Sequence, residues 1–151
     1  MALTPTQQQA WRTLVIMTHA LEEALDRQSR RDGGLPHAYY KLLVFLYEAG
    51  DRRLRMSELA AQLQYSSSRL THAVASLERS GLVQRERSTE DRRVLFLQLT
   101  TAGEDVVRAV TPGQVREVRE PVLAGLDTAD VAALDRLGRH ILAALETPAA
   151  S

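Results

Sequence analysis

Apolar residues recur along the chain at two spacings, and the switch between them divides it into elements. Trp11, Leu14, Val15, Thr18, Leu21 and Leu25 follow at three- and four-residue intervals, which predicts an amphipathic helix over about 5–30. Arg30-Arg31-Asp32-Gly33-Gly34 is expected to break it. Pro36 suits a first helical position. Tyr39, Tyr40, Leu42, Leu43, Phe45, Leu46 and Ala49 then make a helix apolar on most sides, as one central to a core would be, with Gly50 as its C′ residue. Residues 52–56 read as a short extended link. Ser57 is expected to cap a short helix carrying Glu58 in its first turn and Leu59, Ala60 and Leu63 on one face. A second helix, capped by Ser66 or Ser67, turns Leu70, Ala73, Val74 and Leu77 inward and stops at Gly81.

The period then falls to two. Residues 82–88 and 94–100 alternate apolar and polar positions, which predicts a hairpin around the charged loop 88–93. Helical spacing resumes after Thr100 or Thr101 with Val106, Val107 and Val110. An interruption is expected at Pro112-Gly113, with the helix resuming through Val115 and Val118 to Pro121. A last helix, about 128–146, carries Val131, Leu134, Leu137, Ile141, Leu142 and Leu145, and the tail 147–151 is expected to fray.

Short helix, turn, second helix and hairpin, in that order, make a winged helix-turn-helix, in which the second helix enters a major groove of double-stranded DNA. That helix can be tested against the reading. At about 100° per residue, Val74 and Leu77 lie within about 40° of Leu70. Ser68, Arg69, Thr71, His72, Ala75, Ser76 and Arg79 lie on the opposite side, and none is acidic; Glu78 falls off that face. A face laid against phosphates excludes acids and favours small donors, whereas an ordinary solvated face mixes the signs. Ser66, Ser67 and Ser68 cluster at the helix N-terminus, where free amides favour a phosphate.

Composition changes this picture in two places. The formal net charge is zero, which by itself argues against a nucleic-acid partner. Between Asp51 and Leu99, however, nine arginines face six acids, so the middle is basic and the ends are acidic. The chain also has no cysteine, which removes disulfides, thiolate zinc sites, cysteine nucleophiles and thiol-based redox sensing together. No apolar run approaches the ~18 residues of a membrane span. The first residues lack a basic region followed by an apolar stretch, so no secretion signal and a cytoplasmic location are expected.

The loop 88–93 places Arg92 and Arg93 beside Glu90 and Asp91. At a hairpin tip next to a recognition helix, Arg93, together with Arg92, would reach a minor groove, whose narrow A·T-rich stretches attract arginine. Asp91 would brace the guanidinium. Taken alone, the loop reads equally well as a solvated charged turn.

The stretches "RMSELAAQL", "SRLTHAVASLERSGLV" and "STEDRRVLFLQLT" resemble successive motifs of the MarR (multiple-antibiotic-resistance regulator) family, including a wing of Asp-x-Arg followed by Leu-Thr, here Asp91, Arg93 and Leu99-Thr100. The resemblance implies a mostly α fold: a winged helix-turn-helix over 36–100, a small β-hairpin wing, and dimerisation helices over 1–35 and 101–151. It implies a homodimeric repressor on a pseudo-palindromic operator, with DNA contacts from Ser66, Ser67, Ser68, Arg69, Thr71, His72 and Ser76. Arg55 and Arg79 join these candidates as basic residues. Arg52, Arg53 and Arg55 form an extra basic cluster that departs from the family pattern.

The dimer also follows from packing. A winged domain of ~60 residues cannot bury the apolar stripes of both terminal helices, and subunit association is the simplest remedy, with packing as a monomer the alternative. The resemblance further implies a small aromatic or phenolic effector near the dimer helices. Trp11, Arg12, His19, His37, Tyr39 and Tyr40 are the candidates; core packing of the aromatic residues is the competing reading. No hydrolase, metalloprotease or phosphate-loop motif is present, so neither enzyme nor cofactor is expected. His19 with Glu22 or Glu23 supplies two ligands where zinc needs at least three protein groups, so no metal is expected. A helical protein-interaction module is the alternative to DNA binding.

Overall fold

The computed structural model describes residues 2–146. Its elements run α1 (Pro5–Gly33), α2 (His37–Glu48), β1 (Arg53–Arg55), α3 (Met56–Leu63), α4 (Ser67–Arg79), β2 (Val83–Arg87), β3 (Leu95–Leu99), α5 (Thr101–Val118) and α6 (Thr128–Glu146). A π-helical turn, Arg119–Leu123, lies between the last two. The tail expected to fray, 147–151, lies outside the described residues.

α1 opens on a reciprocal cap. Thr4 Oγ1 accepts the Gln7 N–H at 3.3 Å, and Gln7 Oε1 accepts the Thr4 N–H at 2.9 Å. The helix continues past the expected break at Arg30. Arginines suit a last helical turn, and the stop is Gly34, left-handed at φ 70°. Pro36 (φ −58°, ψ 144°) is the N-cap of α2 rather than its first residue. Gly50 does not serve as a left-handed C′ residue. α2 ends on extended Ala49, and the positive φ falls on Arg52, whose guanidinium lies 4.0 Å over the Tyr47 ring.

The expected link at 52–56 is partly a strand. β1 pairs antiparallel with β3, Leu54 opposite Leu97, in a sheet of order β1-β3-β2. The predicted hairpin is therefore part of a three-stranded sheet with β3 at its centre. Three residues carry too little periodicity to declare a strand. Ser57 is not the cap of α3, which begins one residue earlier; Arg55 occupies the N-cap, and Glu58 accepts its N–H at 3.2 Å. Thr100 caps α5, accepting the Gly103 N–H at 3.1 Å while donating to the Gly81 carbonyl at 2.7 Å.

α5 is not interrupted at Pro112-Gly113. Val110 and Gly113 are buried there, and a Cβ on Gly113 would strike the Gln28 and Asp32 side chains of α1. Close packing offsets the one hydrogen bond that proline removes. The irregularity falls instead at the π turn containing Pro121, which absorbs that second missing donor.

The chain divides after Gln114 into two compact units. The core of the first gathers Leu42, Leu43 and Leu46 of α2 with Leu59, Leu70, Val74, Leu77, Leu97, Val107 and Val110, so α2 is central as its pattern predicts. The last third of α1 joins it through buried Gln28, which donates to the Val110 carbonyl at 3.0 Å, and buried Ser29, which donates to the Leu35 carbonyl at 2.9 Å. Earlier on α1, Trp11, Val15, Ile16 and Met17 are exposed. In the second unit so are Val131, Leu134, Leu137, Ile141, Leu142 and Leu145 of α6.

Candidate nucleic-acid interface

The turn between α3 and α4 is tight. Gln64 takes the left-handed conformation at φ 53°, and the Tyr65 N–H donates to the Ala60 carbonyl at 2.9 Å. Ser66, not Ser67, is the N-cap of α4, its Oγ accepting the Arg69 N–H at 3.2 Å. Leu70, Ala73, Val74 and Leu77 are buried. Ser67, Ser68, Arg69, Thr71, His72 and Arg79 are exposed, and Ala75 and Ser76 half-buried. The outward face is free of carboxylates, and Glu78, the one acid of the helix, turns to the sheet: Arg85 Nε is 3.3 Å from one of its oxygens, and the Arg85 N–H donates to the other at 3.4 Å. Arg79 folds back along the helix, its Nε donating to the Ala75 carbonyl at 3.3 Å.

The wing tip is a hydrogen-bonded loop. Ser88 Oγ accepts the N–H groups of Glu90 and Asp91, and Asp91 Oδ1 accepts both the backbone N–H of Arg93 at 2.9 Å and its Nε–H at 3.3 Å. The Arg93 side chain is nevertheless 92% exposed, so Asp91 orients the guanidinium without covering it. Arg87 Nη1 donates to the Arg92 carbonyl at 3.0 Å, closing the loop across its base.

The nine arginines between Asp51 and Leu99 now sort into two groups. Five lie within ion-pair distance of a carboxylate: Arg52 with Glu104, Arg53 with Glu86, Arg55 with Glu58, Arg85 with Glu78 and Arg93 with Asp91. Arg69, Arg79, Arg87 and Arg92 have no carboxylate partner among the described residues. Arg53 also stacks 3.8 Å over Phe96, so the extra basic cluster is turned largely onto the protein and Arg55 is its exposed member. Arg87, which the strand pattern presents as one more alternating polar position, is a basic group at the wing base that sequence reasoning passed over.

The effector candidates are not gathered in one place. His37 and Tyr40 are buried with ring centroids 6.1 Å apart. His37 Nδ1 is 3.1 Å from Glu22, its Nε2 is 3.4 Å from the Gln114 amide, and Tyr40 Oη is 2.9 Å from Thr111 Oγ1. Tyr39 is half-buried, and His19, exposed, lies 3.4 Å from Glu23. Trp11 and Arg12 are exposed about 15 Å up the axis of α1 from Glu22. Burial pushes the Glu22 carboxyl up, but the His37 hydrogen bond and the Lys41 ammonium outweigh it, and its pKa lies below the ordinary value. Hydrogen bonds from Arg30 and from the His37 backbone lower that of Asp26. Burial raises that of Tyr40. No group of three metal-ligating side chains occurs among the described residues, and none of the described helices is long and apolar enough to cross a membrane.

In comparisons with known proteins, a family model described as MarR family matches residues 33–94. The structure of Sco3205, a MarR family transcriptional regulator from Streptomyces coelicolor, in complex with DNA, is similar over 100% of this chain and 95% of that one, at 42% identity and a TM-score of 0.94. AbsC, a MarR family transcriptional regulator from the same organism, is similar over 96% of this chain and 97% of its own, at 36% identity and a TM-score of 0.90. The HTH-type transcriptional repressor YetL of Bacillus subtilis is 33% identical over 85 residues, 56% of this chain and 51% of that protein. The chain spans about half the length of such curated relatives.

Proposed function

Because the chain belongs to the MarR family, we propose that it is a sequence-specific DNA-binding transcriptional regulator acting in the cytoplasm as a homodimer, and that it represses from a pseudo-palindromic operator. The observation that carries this reading is the outward face of α4. Arg69, Thr71, His72 and Ser76 share a surface from which Glu78 has been drawn away. These side chains read base edges, and Ser66–Ser68 with Arg79 hold phosphates. Arg93, oriented by Asp91, enters the flanking minor groove. Homodimerisation supplies the second recognition helix and covers the exposed apolar residues of α1 and α6.

Binding to a pool of random duplexes at two salt concentrations, with the retained fraction sequenced, tests the proposal. An inverted repeat with half-sites about one helical turn apart is the expected outcome. Retention of no motif at either salt would refute sequence-specific reading and favour a protein-interaction role for the winged scaffold.

A further inference from the structure

The guanidinium of Arg69 lies 4.0 Å over the ring of Tyr65, the residue just before the N-cap of α4. Tyr65 is itself fixed. Its ring packs on the core, its hydroxyl donates to the Ala38 carbonyl of α2 at 3.3 Å, and left-handed Gln64 sets its direction. Arg69 is thus held twice, by Ser66 at its backbone N–H and by Tyr65 at its charged end, with no carboxylate partner among the described residues. A carboxylate brace, such as Asp91 on Arg93, offsets part of the charge offered to DNA. An aromatic brace orients the fork and leaves the charge and the in-plane N–H donors available.

We propose that Tyr65 is a positioning residue for sequence readout: it restricts Arg69 to the outward pose from which the guanidinium meets a base edge, and so contributes to operator affinity and to discrimination at the position Arg69 reads. This rests on the DNA-binding reading above. An arginine that is ordered before binding loses less side-chain freedom on binding. Loss of an exposed cation–π contact corresponds to about two- to fivefold in affinity.

The test is a set of titrations of the full chain against the duplex recovered from the random pool and against single-base variants of it. Tyr65→Phe keeps the ring and is expected to bind like the parent. Tyr65→Leu is expected to lose about two- to fivefold on the operator and to discriminate less at one position of each half-site, the position that Arg69→Ala also relaxes. In an Arg69→Ala background, Tyr65→Leu should add nothing. An equal loss in both backgrounds, or no loss in either, overturns the proposal. A readout without DNA guards against misfolding of the leucine variant. The Arg69 Nε–H proton resonance should carry a ring-current shift that Tyr65→Phe preserves, and its absence from the parent protein would also overturn the proposal. If the parent recovers no motif from the pool although the ring-current shift is present, the DNA-binding reading fails and the proposal falls with it. A parent that reads a motif unaffected by Tyr65→Leu defeats the positioning role alone.

Discussion

Arg92 and Arg93 are neighbours in the wing and differ in what holds them. Arg93 is bracketed by Asp91 at two points, whereas Arg92 is tied through its carbonyl to Arg87. Replacing Arg93 by alanine is expected to weaken binding mostly on operators with A·T-rich flanks, and a titration across flank sequences checks it; equal loss on all flanks would exclude minor-groove reading. Ser66→Ala removes the acceptor that caps α4 and should lower stability by about 1 kcal/mol in denaturant unfolding. At this scale the sequence was legible where the chemistry is local. The acid-free face of α4 follows from residue types and the helical period alone. Tyr65 beneath Arg69 and Glu78 on Arg85 were not legible, because each depends on where a turn or a sheet delivers a side chain.

Among the elements, the long periodic helices could be read from the chain and the short or tertiary features could not. β1 is three residues long, and its identity as a strand comes from Leu54 meeting Leu97 more than forty positions later. Pro112-Gly113 reads as a break because local propensity knows nothing of α1. In the fold, α1 lies so near Gly113 that a Cβ there would strike Gln28 and Asp32. Gly113→Ala should therefore destabilise the first unit by about 1–3 kcal/mol despite alanine's better helix propensity, as measured by chemical denaturation. The junction of α1 and α2 is expected to be acid-sensitive. Glu22 and Asp26 both have lowered pKa values in the folded chain, so their contribution is fully present above the ordinary carboxylate range and is lost as pH falls through the folded values. Stability of Glu22→Gln or Asp26→Asn should fall less steeply with acid than that of the parent. Tyr40 carries the opposite sign: its raised pKa favours folding with the neutral phenol, and the benefit is lost at strongly alkaline pH.

For the whole molecule, the balance of charge matters more than its sum. A net charge of zero conceals a basic middle, and within that middle the arginines without carboxylate partners offer their full charge to release counterions from DNA. If Arg87 contacts a phosphate in each half of a dimer, Arg87→Gln should reduce the magnitude of the salt slope of binding by about 1.8, about 0.9 per protomer. The exposed apolar residues of α6 lead to a separate expectation: Leu137→Glu with Ile141→Glu should shift sedimentation toward monomer and weaken operator binding together. The order of the sheet also bears on how the chain reaches this structure. β2 and β3 are joined by a short loop and can zip within microseconds. β1 must close a loop that encloses α3, α4 and β2 before it can dock on β3. Entry of the N-terminal strand is thus a late, non-local step, and Leu54→Ala should accelerate unfolding far more than it slows refolding.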